Sequence, residues 1–441
     1  MRHIDFTSGP VGRKILLFSL PLMVGNVFQQ LYNVVDTLVV GKFLGEAPLA
    51  AVGSAYTLMI FLTSILIGLT MGAGVYFSLC FGRKNFDRMK QAVFISFLSI
   101  GLLTVIMNGA AYLLLDELIS FMQVPFEVIP YIRDYLWWIL TGLLAVFLYN
   151  FGAALLRAVG DSVTPLLFLI LSSLMNVALD ILFVVYLDLG VSGAAEATVI
   201  SQYVSGAGIF LYCFLFRKDF HISRKDMVWN RQVFCDMSEL SLLTSLQQSI
   251  MNFGILLVQG LVNSFGTTVM AAFAAGVKID TIAYSPLQDF GNAFSTYAAQ
   301  NWGAGNKARI RQGVITAGKM IFLFSILASC LVSLLAPTLM GFFVPETAEE
   351  VIAVGAHYLR IEGSCYLGIG ILFMLYGFYR AIKRAGMSVI LTILSLGTRV
   401  VLAYFLSSFP EIGVTGIWLS IPIGWALADM YGIIKVYKLV S

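Results

Sequence analysis

The sequence predicts an all-α integral membrane protein with twelve transmembrane helices in two six-helix lobes. Three observations support this fold class. Of the 441 residues, 59% are hydrophobic and only 12% are charged, whereas soluble domains have about 25% charged residues. Apolar runs of about 20 to 30 residues recur along the whole chain, and this length suits helices that cross a bilayer. The second half of the chain also repeats the pattern of the first.

Polar segments divide the chain into twelve candidate helices. No segment between them is long enough for an aqueous domain of useful size. The N-terminal segment MRHIDFTSGPVGRK is too polar for a cleaved signal sequence. The predicted helices cover residues 14–41, 50–80, 91–115, 128–156, 163–187, 190–216, 237–263, 270–301, 313–338, 351–379, 387–408 and 412–437.

The basic residues predict the orientation of these helices. The N-terminal segment, the even-numbered loops and the C-terminal tail hold 21 of the 27 Lys and Arg residues, whereas the odd-numbered loops hold only Lys42. Loops rich in Lys and Arg stay in the cytoplasm. We therefore expect a multi-pass protein of the cell inner membrane with both termini in the cytoplasm.

An internal repeat relates the two halves of the chain. LLRAVGDS (155–162) aligns with FYRAIKRA (378–385) at an offset of 223 residues. FGRKNFDRMKQAV (81–93) aligns with WGAGNKARIRQGV (302–314) at an offset of 221. Each half therefore contains six predicted helices.

Because six is even, both copies enter the membrane in the same orientation. Such halves are related by a pseudo-two-fold axis along the membrane normal, an arrangement common in transporters. The predicted lobes are residues 1–219 and 220–441. A channel or a membrane enzyme could also be duplicated, so the repeat favours transport without excluding them.

Enzyme motifs are weak in this sequence. GVSG (190–193) has the GxSG form of intramembrane serine proteases, but GVTG (413–416) occupies the matching place in the second half and no histidine follows on a nearby helix. The five cysteines have no pairing pattern. There is no phosphate-binding loop, no paired-histidine metal site and no DDxxD motif. We predict that the protein is not an enzyme and has no structural metal.

Two carboxylates lie inside predicted helices of the first half at similar depth. Asp36 is in the first helix and Asp180 in the fifth. Asn176 precedes Asp180 by four residues, which places both on one face, and Thr198 of the sixth helix has a comparable depth. Ionisable groups within the bilayer are candidate functional sites. This cluster suits groups that take up and release protons.

Further polar and aromatic residues surround this candidate site. An alternative role for the polar ones is to join helices by hydrogen bonds. The candidate substrate contacts are Gln29, Tyr32, Met59, Tyr135 and Asn150.

The second half does not copy the cluster. At the repeat offsets, Asp36, Asn176 and Asp180 are matched by Leu257, Arg399 and Ala403. We expect the charges of this half to be buried and to pair with one another, with substrate contact as the alternative. They are Lys278, Asp280, Asp289, Glu362 and Arg399.

Four segments resemble those of a known family. They are PLMVGNVFQQLYNVVDTLVVGKFLG (21–45), LLRAVGDSVTPL (155–166), NVALDILF (176–183) and YAAQNWGAGN (297–306). In combination, these segments resemble the multidrug and toxic compound extrusion (MATE) family over nearly the whole chain. The resemblance implies secondary antiport, in which organic and often cationic compounds leave the cell as H⁺ or Na⁺ enters.

The resemblance also implies a coupling site. Asp36 matches the family's aspartate of the first helix, Asn176 and Asp180 match its Asn-x-x-x-Asp of the fifth, and Thr198 matches a hydroxyl of the sixth. Gln29, Tyr32 and Tyr135 match residues around this site. The NorM branch carries a carboxylate where this chain has Ile369, so the chain looks closer to the DinF-like branch.

We therefore expect an antiporter, monomeric in the bilayer, that exports a small organic molecule and binds no nucleic acid. It would need no cofactor other than its coupling ion, H⁺ or alternatively Na⁺, which Asp36, Asn176, Asp180 and Thr198 would bind. The alternative function is a flippase or exporter of a lipid-linked or anionic substrate, with Lys278 and Arg399 facing the acidic group. An ion channel would need pore-lining repeats or a filter loop, and neither is visible.

Overall fold

The computed structural model describes residues 4–122, 124–345 and 347–440. All regular secondary structure in these ranges is helical. The chain forms two compact units. The N-terminal unit consists chiefly of Leu20–Gln248, and the C-terminal unit combines Phe6–Ser19 with the chain from Ser249 onward.

In the described part of its first half, the chain forms eight α-helices. The predicted helix 128–156 is two helices, α5 and α6, that meet at Gly142. A wider π-helical turn, Ile181–Tyr186, continues α7 beyond Asp180. The helices are α1 (Val11–Phe43), α2 (Glu46–Gly82), α3 (Phe86–Leu113), α4 (Leu115–Phe121), α5 (Ile129–Thr141), α6 (Leu143–Ala158), α7 (Val163–Asp180) and α8 (Gly190–Phe216).

The second half forms seven α-helices within the residues that the structure describes. The predicted helix 351–379 is a pair, α12 and α13, bent by 51°. The helices are α9 (Arg231–Asn263), α10 (Thr267–Gly303), α11 (Lys307–Gly341), α12 (Glu349–Gly363), α13 (Tyr366–Ala381), α14 (Ala385–Ser407) and α15 (Val414–Val440).

The predicted transmembrane helices correspond to these elements. Within the described residues, ten helical segments are long and apolar enough to cross a membrane, and the bent pair α12–α13 makes eleven. The remaining predicted helix, 270–301, corresponds to α10. This helix has 37 residues, and its charged side chains make it less apolar than the others. The prediction of twelve transmembrane helices is confirmed.

Hydrogen bonding inside the helices explains how polar side chains are accommodated in lipid. Buried Thr70, Thr104 and Thr244 donate to the carbonyl four residues earlier in their own helices, at 2.8, 2.8 and 2.6 Å. A hydroxyl can therefore satisfy itself locally, as the helical backbone does. A carboxylate has no proton to donate and needs a partner from elsewhere.

The repeated loop sequences fold in the same way in both halves. Asn85 accepts a hydrogen bond from the backbone N–H of Arg88 at 3.0 Å and caps the start of α3. Asn306 accepts from the N–H of Arg309 at 3.2 Å and caps α11. The repeat therefore preserves a helix-capping interaction.

The C-terminal unit holds the N-terminal segment through Phe6. The Phe6 ring is fully buried against Phe18 and Tyr297, with ring centroids 5.2 and 5.7 Å apart. Its N–H donates to Gln300 Oε1 at 3.2 Å, and its carbonyl accepts from Asn301 Nδ2 at 3.1 Å. These contacts explain why the segment clusters with the C-terminal unit.

The boundary between the two units lies later in the chain than the predicted boundary at 219/220, because α2 packs closely against the first half of α9. A Cβ atom at Gly72 would lie 2.5 Å from Ser241 Cα and 2.6 Å from the Leu240 carbonyl oxygen. A glycine is required here because the two backbones approach so closely. The division of the chain by contacts accordingly falls after Gln248, within α9, although the repeat begins earlier.

We predict that Gly72→Ala destabilises the protein, because the added methyl group would overlap backbone atoms that cannot move alone. Overpacking of this kind lowers the free energy of unfolding by about 1–3 kcal/mol. The melting temperature of the purified protein in detergent would measure the loss. Gly53→Ala in the same helix is the matched control, because a Cβ there meets nothing within 4 Å. Equal melting temperatures for the two variants would contradict the proposed packing.

Candidate functional site

The end of α7 directs two polar residues into the N-terminal unit. Asn176 and Asp180 are both buried, and Asp180 is 0% exposed. Leu174 and Ile181 on the opposite side of the helix are exposed. The spacing of four residues therefore places the amide and the carboxylate on one inward face, as predicted. The π-helical turn that begins at Ile181 is a feature frequent at functional sites.

Thr198 on α8 joins this face. The Asn176 amide donates from Nδ2 to Thr198 Oγ1 at 3.2 Å, and Thr198 is itself buried. The structure thus brings together a hydroxyl, an amide and a carboxylate from two helices. The prediction that Thr198 lies at the depth of Asn176 agrees with this contact.

Asp36 on α1 faces the same cluster. Its carboxylate is close enough to Asp180 for the two to interact electrostatically, and both act on the buried Tyr135. Leu31, Val34 and Leu38 are exposed on the other side of α1. Asp36 therefore lies on the interior face of its helix, beside Asp180.

The cluster holds acceptor oxygens that lack donors. Within the described residues, no hydrogen-bond partner reaches Asp36 Oδ1, Asn176 Oδ1 or either carboxylate oxygen of Asp180, although all four atoms are buried. Buried polar atoms are normally satisfied, and a buried unpaired carboxylate is costly. The arrangement is therefore suited to receive a proton or a cation whose ligands are oxygen atoms.

The candidate substrate residues take different positions. Tyr135 is buried, Tyr32 and Met59 are partly buried, and Gln29 is exposed. Gln29 hydrogen bonds to Tyr32, and Tyr32 interacts electrostatically with Asp36. Asn150 donates from Nδ2 to the Val146 carbonyl of its own helix at 2.9 Å. Asn150 is thus partly satisfied within α6, whereas the tyrosines adjoin the carboxylates.

The C-terminal unit contains a different carboxylate cluster. Asp280 on α10 accepts hydrogen bonds from the hydroxyls of Tyr358, at 3.1 Å, and Tyr366. Asp280 also hydrogen bonds with Glu362. Two tyrosine hydroxyls therefore satisfy the carboxylate oxygens of Asp280.

The predicted buried charges of this unit require one correction. Asp280, Asp289, Glu362 and Arg399 are buried, but Lys278 is exposed, so the prediction of a buried Lys278 is wrong. Lys278 lies two residues from Asp280 on α10, and positions two apart in a helix point to different faces.

Arg399 does not pair as expected. Among the described residues it forms no ion pair with Asp280 or Glu362. Its buried Nε has no hydrogen-bond partner in that part of the chain. The carboxylates of this unit bond to tyrosines and to each other instead.

Two features of this unit were missed in the sequence. Tyr358 and Tyr366 flank Glu362 at four residues on either side, a helical spacing that could have revealed their shared face. Asp429 is a lone acid in the apolar run of α15; it is buried, and its Oδ1 has no hydrogen-bond partner among the described residues. Asp429 could have been found in the sequence as Asp36 was, because both are isolated acids in apolar runs.

A family model matches the chain twice. The MatE model matches residues 21–182 and 243–405. The two segments begin 222 residues apart, within the offsets of 221 to 223 found for the internal repeat. Each copy of the six-helix repeat therefore corresponds to one match of the family model.

Two named relatives match almost the whole chain. The chain is 29% identical over 430 residues to the "Probable multidrug resistance protein YpnP" of Bacillus subtilis, covering 95% of this chain and 92% of that protein. It is 24% identical over 431 residues to the "FAD transporter" of Shewanella oneidensis, covering 96% and 93%.

A solved structure has the same fold. A MOP superfamily transporter from Pyrococcus furiosus superimposes with a TM-score of 0.94 at 24% identity, covering 100% of this chain and 98% of that one. The two matches to the family model span most of the chain. The chain therefore belongs to the MatE family, whose members are multi-pass membrane transporters of small molecules and not enzymes.

Proposed function

We propose that this protein is a secondary antiporter that exports organic, often cationic, compounds in exchange for H⁺ by alternating access. The observation that carries the proposal is the set of buried acceptor oxygens on Asp36, Asn176 and Asp180 that have no donor among the described residues. A transporter needs a group whose charge changes during its cycle, and an unsatisfied pair of carboxylates in lipid is such a group.

Protonation would change the packing of the N-terminal unit. With both carboxylates ionised, Asp36 and Asp180 repel one another and attract a cationic substrate. A proton on one carboxyl group reduces the charge of the pair from −2 to −1 and supplies a donor for one of the orphaned oxygens, which favours closer packing of α1 on α7. The two groups interact and therefore titrate as a coupled pair. Loss of charge weakens the attraction for the substrate, which then leaves on the outer side.

The surrounding side chains suit organic cations. Tyr32 and Tyr135 present aromatic rings beside the carboxylates, and aromatic faces attract cations. Met59 adds a flexible, polarisable side chain of the kind found at binding surfaces that accept several ligands. Gln29 and Asn150 add amide groups. The Bacillus subtilis relative is named a probable multidrug resistance protein, which agrees with this substrate class.

A second candidate function is export of an anionic substrate, or flipping of a lipid-linked one. The observation in its favour is Arg399, a buried guanidinium whose Nε has no hydrogen-bond partner among the described residues. The Shewanella oneidensis relative is named as a transporter of FAD, a molecule with phosphate groups. We rank this function second because the same unit also buries Asp280, Asp289 and Glu362.

We place the protein in the inner membrane as a monomer of the DinF-like branch. The distribution of Lys and Arg supports the orientation, and Ile369 in place of an acid supports the branch. The coupling ion is H⁺ in this proposal, with Na⁺ as the alternative at the same four residues, Asp36, Asn176, Asp180 and Thr198.

We predict that Asp36→Asn leaves the protein folded but abolishes uphill drug efflux. The amide has the size of the carboxylate but cannot take up or release a proton. A proton gradient can therefore no longer drive the transport cycle. Asp180→Asn should have the same effect. Ethidium export against its gradient in proteoliposomes, at equal protein content, measures the result, with an expected loss of about tenfold or more.

Glu362→Gln is the matched control, because it also neutralises a buried carboxyl group but in the other unit. It should retain most of the gradient-driven export, as should Asp289→Asn. Uphill export by Asp36→Asn together with its loss in Glu362→Gln would place the coupling site in the C-terminal unit and overturn the proposal.

We predict that a proton gradient alone drives export. The cluster contains two carboxyl groups that can each carry a proton, and a protonated carboxyl group supplies the hydrogen-bond donor that the neighbouring buried oxygens lack. Proteoliposomes with pH and sodium gradients imposed one at a time would measure the difference. Export driven by sodium at constant pH would make Na⁺ the coupling ion.

We predict that the start of α9 lies in the cytoplasm. Cys235 is exposed there, so a membrane-impermeant maleimide should label it only after the cells are permeabilised. The test uses a protein whose Cys330 and Cys365 are replaced by Ser. Glu411→Cys, exposed between α14 and α15, is the control and should react in intact cells. Labelling of Cys235 from outside intact cells would reverse the orientation.

A further inference from the structure

The linker between α8 and α9 lies next to two membrane-crossing helices. α8 ends at Phe216, α9 begins at Arg231, and both are long and apolar enough to span the bilayer. The last side chains of α8, Leu215 and Phe216, are exposed as lipid-facing residues would be. The linker, residues 217–230, is therefore held close to the membrane surface.

Ionic and aromatic contacts fix the first part of this linker. Arg217 forms an ion pair with Asp161 at 3.4 Å and lies over the ring of Phe220, 5.8 Å from its centroid. Phe220 is fully buried. Asp161 also accepts hydrogen bonds from the N–H and hydroxyl of Thr164, at 3.0 and 2.8 Å. The linker is thus attached to the start of α7.

A capped turn fixes the middle of the linker. The carboxylate of buried Asp226 accepts hydrogen bonds from the Ser223 N–H at 2.9 Å and the Ser223 hydroxyl at 2.7 Å. The bond from the Ser223 N–H, then that from its hydroxyl and the nearby charges of Lys90 and Lys225, hold the pKa of Asp226 below its usual value. This stabilisation is therefore complete at neutral pH and is lost as the pH falls through that lowered pKa.

Three consecutive apolar side chains follow the capped turn and point outward. Met227, Val228 and Trp229 are 50%, 52% and 54% exposed. The Trp229 ring lies 4.9 Å from that of Phe234, which orients it. Exposed apolar patches mark interaction sites. The hydrogen bonds of Asp226 define the turn from which these side chains project.

Basic side chains flank the apolar triplet. Arg224 and Lys225 precede it, Arg231 follows it, and all three are exposed. The turn around Arg224 packs against α3, and the loop before α3 adds the exposed Arg83 and Lys84. Exposed cations beside exposed aromatic and aliphatic groups match a surface whose phosphates lie just above acyl chains.

We propose that this linker binds the surface of an anionic lipid leaflet. Met227, Val228 and Trp229 enter the interfacial region, while Arg224, Lys225 and Arg231 contact lipid phosphate groups. A lipid surface fits better than a second copy of the chain, because the neighbouring ends of α8 and α9 already place the linker at the bilayer. Thr198 of the cluster and Phe216 next to the linker are 18 residues apart in α8 (216 − 198), which is about 27 Å along the helix.

A fluorescent probe in the triplet tests this inference. The protein carries Val228→Cys, with Cys235, Cys330 and Cys365 replaced by Ser and the buried Cys80 and Cys213 retained. The cysteine is labelled with an environment-sensitive dye, and the protein is placed in nanodiscs of phosphatidylcholine with or without phosphatidylglycerol. We expect a blue shift of the emission with phosphatidylglycerol and about threefold less quenching by acrylamide, with the shift reduced at high salt.

Charge variants separate lipid binding from other causes. Arg224→Gln, Lys225→Gln and Arg231→Gln together should abolish the shift, whereas Lys307→Gln, Arg311→Gln and Arg384→Gln, three exposed basic residues of the C-terminal unit, should not. The effect of salt on the protein with these basic residues intact gives the same information without any risk of misfolding. Any of three results would overturn the proposal. They are equal quenching in both lipids, a shift that persists when Arg224, Lys225 and Arg231 are all replaced by Gln, and a shift that appears only at high protein concentration.

Discussion

A carboxylate buried in a bilayer needs a donor or a positive charge, and this requirement distinguishes Asp280 from the pair Asp36 and Asp180. Hydroxyl side chains donate to the carbonyls of their own helices, as Thr70 does, and so need no hydrogen-bond partner on a neighbouring helix. A carboxylate cannot do this. Asp280 meets the requirement through the hydroxyls of Tyr358 and Tyr366. Asp180 has no such donors among the described residues, and its unit therefore holds the candidate coupling site.

The duplicated halves keep the same architecture and differ in this polar content. The family model matches both halves, and the capping interactions of Asn85 and Asn306 are equivalent. The cluster is not repeated, because Ala403 stands at the position that matches Asp180. Helix packing tolerates such exchange, since a buried alanine needs no partner. The chemistry of each half can therefore diverge while its fold is kept.

Several segments that resemble the family have structural roles. The Asp161 of LLRAVGDSVTPL holds the start of α7 and the linker that follows α8. The Gln-Asn pair of YAAQNWGAGN hydrogen bonds with the backbone of Phe6. NVALDILF and the Asp36 segment supply the orphaned oxygens of the cluster around Asp36 and Asp180. The similarity to relatives thus combines residues that fix the fold with a smaller set that can serve transport.

The sequence by itself determined the all-helical membrane fold, the repeat and the shared face of Asn176 and Asp180, because length, apolarity and a spacing of four residues act locally along the chain. Tertiary structure decided which side chains meet. It joined Asn176 to Thr198, exposed Lys278 and gave Asp280 its two tyrosines. Among the described residues it also left Arg399 without the expected ion pair. It also placed Phe6–Ser19 in the C-terminal unit. These outcomes depend on the rotation of each helix about its axis and on how closely two helices approach. Hydropathy and residue spacing within one helix do not determine either of these quantities.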